Sequence, residues 1–213
     1  EYPLVDDLTG CFAGHLRQAI PVEQSREWLG KVMDAIQDCG GFEKPVGRNG
    51  LMSRGTKWLV RPGCRCSYRY GGASVEATPF PPWMHHVMQV CMPLCGFPDM
   101  DSWPNSCNLN CYADNSDALD WHADDEQLFR NSGNHGGVCI LSLSLGAERS
   151  FDLRRRGDES AVAARLQLRG GDMCTMEGHT QDHYQHRVNK GTSNSGLRVN
   201  FTWRWIRKHD NTC

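Results

Sequence analysis

Apolar and polar residues alternate in two stretches of the chain. Cys139, Leu141, Leu143 and Leu145 interleave with Ile140, Ser142 and Ser144; Leu197, Val199, Phe201, Trp203 and Trp205 interleave with Arg198, Asn200, Thr202 and Arg204. Successive side chains of a strand point to opposite faces, so a period of two predicts half-buried strands. Phe151 with Leu153, Leu166 with Leu168, and Met173 with Met176 predict further short strands between glycine-rich turns. Ahead of Asn105 the pattern changes. Val22, Trp28, Leu29, Val32 and Ile36 follow Pro21 at a spacing near 3.6 and stop at Gly40-Gly41, which predicts an amphipathic helix over 22–39. A second proline-led helix is predicted from Pro82 to about Cys95, stopped by Gly96. Residues 1–20 read as an irregular or strand-like lead-in, and 42–80, dense in Gly, Arg and aromatic residues, as hairpins. Two helices ahead of many short strands predict a mainly β (α+β) chain, a sandwich or jelly roll with helices packed on one side. Residues 1–104 carry the helices and a mobile cover and 105–213 the β core, both within one domain.

Composition narrows the classes. A chain of 213 residues, 39% hydrophobic, builds one sizeable core rather than two. No stretch approaches the ~20 apolar residues that cross a bilayer, so no membrane partner is expected. With 23 basic and 25 acidic residues the net charge is −2, which gives no global pull towards nucleic acid. Within the basic set, however, 18 are Arg and 5 Lys, a bias towards planar capture of carboxylate and phosphate. Eleven cysteines, an odd number, with no secretory apolar stretch, point to a reducing intracellular setting. Cys91, Cys139 and Cys174 fall in apolar patterns and read as small buried hydrophobes. Cys64-x-Cys66 with Cys91-x3-Cys95 offers four thiols for a second metal, although the spacing matches no common zinc site well.

The candidate chemistry starts at Trp121-His122-Ala123-Asp124. Residues two apart on a strand share a face about 7 Å apart, close enough for one metal ion. His186 downstream would complete two histidines and one carboxylate, the arrangement of non-haem Fe(II) oxygenases. The alternative is a surface charge cluster, since Asp114, Asp117, Asp120, Asp124, Asp125 and Glu126 lie close together. The last strand weighs on the choice. Arg198 and Arg204 on one face of a strand are costly to bury unless they hold anions. A five-carbon dicarboxylate, 2-oxoglutarate, is the ligand that suits a ferrous site; two exposed Arg on an edge strand are the alternative.

These residues together resemble the AlkB-type Fe(II)/2-oxoglutarate dioxygenases. The resemblance rests on Asn110-x-Tyr112, His122-x-Asp124-Asp125-Glu126, Leu141 to Gly146, His186 and Arg198-x-Asn200-x-Thr202-x-Arg204, in family order across 105–206. The stretches Asp120 to Glu126, Met176-Glu177-Gly178 and Gln185 to Val188 are similar to the animal branch that acts on single-stranded DNA and RNA. The resemblance implies a double-stranded β-helix and a full set of roles. His122, Asp124 and His186 would ligate Fe(II), with His183 the competitor for the third position. Arg198, helped by Tyr112, would pair with the distal carboxylate of 2-oxoglutarate, and Arg204 would lie near its metal end. Asn110, Asn200 and Thr202 would complete the co-substrate pocket. A nucleotide-recognition lid would present Trp58, Tyr68 and Tyr70 to a flipped base and Arg54, Arg61, Arg65 and Arg69 to phosphates. Asp125, with Glu126 beside it, would accept a hydrogen bond from the base's exocyclic amino group. The implied activity is O2-dependent demethylation of 1-methyladenine or 3-methylcytosine in single-stranded DNA or RNA by a monomer, with release of formaldehyde. A 2-oxoglutarate hydroxylase of protein or small molecules, and a non-catalytic nucleic-acid-binding module, remain open beside it.

Overall fold

The computed structural model describes residues 2–48, 50–130, 137–192, 196–209 and 213. Its lead-in is a hairpin, β1 (Tyr2–Asp7) and β2 (Cys11–Leu16), followed by helix α1 (Val22–Asp38). The hairpin β3 (Val46–Gly47) and β4 (Gly50–Leu51) precedes β5 (Gly55–Val60); a second hairpin, β6 (Tyr68–Tyr70) and β7 (Ala73–Val75), precedes β8 (Thr78–Pro79) and helix α2 (Pro82–Leu94). Then come β9 (Ser106–Tyr112), β10 (Leu119–His122), β11 (Ile140–Gly146), β12 (Arg149–Arg155), β13 (Ala164–Leu168) and β14 (Met173–Gly178). The short helix α3 (Thr180–His183) leads into β15 (Tyr184–Val188), and β16 (Arg198–Arg204) is the last strand. Both proline-led helices stand where the 3.6 spacing puts them.

Eight strands form one sheet in the order β1-β2-β14-β11-β16-β9-β5-β8, and four form a second in the order β10-β15-β12-β13. All pairs are antiparallel except β5 with β8. The two sheets make the jelly roll that the alternation predicts. The alternation also explains the two cores. Leu141, Leu143 and Leu145 of β11 and Val199, Phe201 and Trp203 of β16 turn outward onto Trp28, Val32 and Ile36 of α1 and Met84, Met88 and Met92 of α2. Ile140, Met176, Phe151 and Leu153 fill the space between the sheets. Gly146 ends β11 at φ 85, where a Cβ would collide with the Leu197 carbonyl, so only glycine serves that turn.

The segment 42–80 is only partly hairpin. Every residue of β5 is buried, and it pairs with β9 so that Trp58 stands opposite Asn108. Strands from both parts of the chain therefore share one sheet. Cys91 lies on the sheet-facing side of α2, within the helical core, and Cys95 follows that helix. The grouping of Cys64 and Cys66 with these two thiols, which the sequence left open, does not form, because α2 packs on the opposite face of the larger sheet.

Candidate active site

Strands β10 and β15 pair so that His122 stands opposite His186, with ring centroids 4.1 Å apart. Asp124 follows two residues beyond His122, its backbone N–H donating to Gln181 Oε1 at 2.9 Å. Its carboxylate lies 3.7 Å from His122 Nε2, and one donor atom from each of His122, Asp124 and His186 lies within 4.8 Å of the other two. His122 Nδ1 donates to the Asp120 carbonyl at 2.7 Å, which leaves Nε2 as the lone-pair nitrogen turned towards Asp124. Burial, and then His122, push His186 down to about 3; burial lowers His122 as well, against the pull of Asp124. For Asp124 burial opposes ionisation, but Arg204 first and then both histidines outweigh it and keep the carboxyl low. Two neutral imidazoles and one carboxylate on one side of a void are a donor set fit for Fe(II). His183 stands apart from it, exposed at the end of α3 with its ring facing His179.

The inward face of the larger sheet is a polar ladder. Thr56 donates to Asn108 Oδ1, Asn108 Nδ2 to Asn110 Oδ1, Asn110 Nδ2 to Thr202 Oγ1, Thr202 to Asn200 Oδ1, and Asn200 Nδ2 to Ser142 Oγ. Mutual satisfaction of this kind lets so much polar surface be buried. Arg198 and Arg204 flank it and differ. Arg204 donates to the Tyr68 hydroxyl at 2.7 Å, lies 3.6 Å from Asp124 Oδ2, and has its guanidinium carbon over the Tyr68 and Phe129 rings. Arg198 Nη2 donates to Ser144 Oγ at 3.0 Å beside Tyr112, whose ring centroid lies 5.0 Å from the guanidinium carbon; its Nε and Nη1 are buried without an acceptor among the described residues. Burial lowers the pKa of the Arg198 guanidinium. A buried cation with two idle donors fits a carboxylate ligand. Both arginines, Tyr112, Asn110, Asn200, Thr202 and the His-Asp-His group line one cavity of about 820 Å³, within the usual range for ligand sites.

The mouth of that cavity is formed by the β3–β4 and β6–β7 hairpins, joined by the Arg48 N–H bond to the Gly71 carbonyl. Tyr68 is buried, donates to Glu126 Oε1 at 3.0 Å and packs against half-buried Tyr70, their ring centroids 4.4 Å apart. Glu126 Oε2 is buried without a partner among the described residues; burial, and then Asp124, push this carboxyl up to about 7. Asp125 is held by Arg156 at 2.5 Å. Trp58 does not face the cavity: it is wholly buried behind Tyr68, its Nε1 donating to the Cys66 carbonyl, and it has no face to offer a base. Arg54 is likewise a wall residue, its Nε on Asn110 Oδ1 at 2.8 Å, while Arg61, Arg65 and Arg69 are exposed. Sequence reasoning assigned no role to Ser142, Ser144 or Asn108. The signal was available, since the serines occupy the inward positions of β11's own alternation.

Set against known proteins, residues 12–204 match the 2OG-Fe(II) oxygenase superfamily. The chain belongs to that superfamily, whose members use Fe(II), 2-oxoglutarate and O2, and it is of the AlkB type. Over 111 residues it is 39% identical to the alpha-ketoglutarate-dependent dioxygenase alkB homolog 3 of Rattus norvegicus, and 38% to that of Homo sapiens. Each match covers 48% of this chain and 35% and 36% of those relatives, so the chain spans about a third of their length. It is 28% identical over 215 residues to the DNA oxidative demethylase ALKBH2 of Arabidopsis thaliana, covering 90% of this chain and 65% of that protein. Among solved structures, that of OsALKBH1 shares the fold at a TM-score of 0.63 and 18% identity, over 92% of this chain and 96% of that one.

Proposed function

We propose that the protein removes methyl groups from N-methylated bases, such as 1-methyladenine and 3-methylcytosine, in single-stranded DNA or RNA. The observation that carries this reading is Arg198, a buried cation with two donors unpaired among the described residues, in the same cavity as His122, Asp124 and His186. Those three side chains would hold Fe(II), and Arg198 would take the distal carboxylate of 2-oxoglutarate as a charged fork. Asn110, Tyr112, Asn200, Thr202 and Arg204 would line the rest of the co-substrate site. When bound, Fe(II) and 2-oxoglutarate supply the oxidant: one oxygen atom of O2 goes to succinate, released with CO2, and the other to the N-methyl C–H. The hydroxymethyl product would then lose formaldehyde and a proton, leaving the ring nitrogen of the base unsubstituted.

The chain's own contribution is orientation. Tyr70 would present a flat face to the flipped base, and Asp125 and Glu126 would accept from its exocyclic amino group. Arg61, Arg65 and Arg69 would meet phosphates, and the work would be done inside the cell by a monomer. The test is mass spectrometry of a methylated single strand incubated with protein, Fe(II) and 2-oxoglutarate, with formaldehyde and succinate measured in parallel. Loss of the methyl mass with the wild type, and none with His122→Ala, is expected. Succinate formed without loss of methyl, together with hydroxylation of peptides, would move the substrate to protein.

A further inference from the structure

Away from the cavity, the fold brings Cys64 and Cys66 to His209 and Cys213. The two cysteines occupy the turn between β5 and β6; the histidine and the last cysteine follow β16. Cys64 Sγ and Cys66 Sγ each lie 3.8 Å from His209 Nδ1. Cys213 Sγ lies 3.1 Å from Cys64 Sγ and 3.3 Å from Cys66 Sγ, and all four donor atoms fall within 4.8 Å of one another. Zinc bonds of about 2.3 Å to sulfur and about 2.0 Å to nitrogen at tetrahedral angles put ligand atoms roughly 3.5–3.8 Å apart. The sulfurs here are too far apart for a disulfide at about 2.05 Å. They surround a point rather than pair.

We propose that Cys64, Cys66, His209 and Cys213 bind one Zn2+ as a structural site, separate from the His-Asp-His group. Three sulfurs and one imidazole nitrogen make a closed tetrahedral set with no position left for a substrate. The surroundings of Cys213 suit thiolate. The Arg65 N–H donates to Cys213 Sγ at 2.9 Å, and Arg65, Arg207 and Lys208 adjoin the ligands in sequence, so cations offset the net charge of three thiolates on one zinc. Zinc binding releases the thiol protons to solvent and involves no change of oxidation state.

The site would act as a clip. The Cys66 carbonyl accepts from Trp58 Nε1, and two residues on stands Tyr68, whose hydroxyl holds both Arg204 and Glu126. Fastening this turn to the segment after β16 would steady the hairpin that forms one side of the cavity mouth. The ligands lie nearly 150 residues apart, and closing so long a loop with a metal restricts the unfolded chain strongly.

The test reads metal rather than turnover, so it stands or falls apart from the proposed activity. The full chain carrying His122→Ala and Asp124→Ala is purified under reductant, exposed to Zn2+, desalted and assayed for zinc. One zinc per chain is expected. Replacement by Co2+ should give the intense visible absorption of tetrahedral thiolate coordination. Adding Cys64→Ser or Cys213→Ser should weaken zinc binding more than about a hundredfold, while Cys91→Ser with Cys95→Ser should leave it unchanged. Zinc well below one per chain in the protein lacking His122 and Asp124 would overturn the site. So would retention after Cys64→Ser, or a bond between Cys213 and Cys64 or Cys66 found by mass spectrometry in the reduced, zinc-exposed protein.

Discussion

Asp152 on β12 of the smaller sheet is fully buried, and Arg165, Arg187 and Asn189 all donate to its carboxylate at 2.7–3.0 Å. Arg198 on β16 of the larger sheet is almost as deeply buried, yet its Nε and Nη1 have no acceptor among the described residues. Both are single charges removed from water. At Asp152 the desolvation cost is offset within the fold: burial opposes ionisation, but the bonds from Arg165, Asn189 and Arg187 hold the carboxyl well below the usual carboxylate range. At Arg198 the cost is left standing, and a ligand of opposite charge would relieve it. A saturated buried charge holds structure together, whereas an unsaturated one is poised for binding.

The sharpest way to break this comparison is Arg198→Ala. Truncating one member of a buried charge pair costs ~3–5 kcal/mol, so 2-oxoglutarate affinity should fall roughly 150- to 5,000-fold. Fe(II) binding should change little and the melting temperature should not drop. Titration of 2-oxoglutarate reads the first, and unchanged affinity would remove Arg198 from the co-substrate site. Arg198→Lys should recover only part, because a point charge replaces a two-pronged donor.

Asp152→Ala should show the opposite signature. Leaving Arg165 and Arg187, both partly solvated, without their carboxylate should cost towards the lower end of ~3–5 kcal/mol in stability. That is a fall of about 6–12 °C in melting temperature at ~2–4 °C per kcal/mol, with 2-oxoglutarate affinity intact. The pH dependence follows from the sign of the shift. A carboxyl lowered in the folded state contributes fully above its ordinary pKa of about 4 and loses that contribution as pH falls through the folded value. Stability read from urea unfolding should therefore fall as pH drops below about 4 in the wild type, and fall less in Asp152→Asn.

The smallest expected effect separates the two aromatic layers at the mouth. Tyr70→Ala should weaken binding of a methylated single strand by ~1–3 kcal/mol, the worth of stacking one base, with little change in stability. Trp58→Leu should do the reverse, lowering stability and leaving strand affinity near wild type once the protein is folded. Equal losses of strand affinity in both would put Trp58 back at the base.

The alternation of β11 and β16 already told which side chains share a face, because strand geometry is local and every second residue must point the same way. The Arg-x-Asn-x-Thr-x-Arg ending was legible for that reason, and both proline-led helices were legible from their 3.6 spacing. Asp124, by contrast, lies beyond the end of β10, so its place beside His122 comes from the loop after the strand and not from alternation. Trp58 was misread because its burial depends on β5 pairing with β9, a strand some fifty residues away, and nothing within Gly55–Val60 announces that partner. His186 and His183 are three residues apart, and only the β10–β15 register set one ring against His122 and left the other exposed. The thiols teach the same thing. Cys64-x-Cys66 was visible in the sequence, but its neighbours were not: the larger sheet lies between this turn and Cys91 and Cys95, and the fold brings His209 and Cys213 to it instead. Local sequence sets the direction of each side chain; which side chains then meet depends on long-range strand pairing and packing, a property of the whole fold.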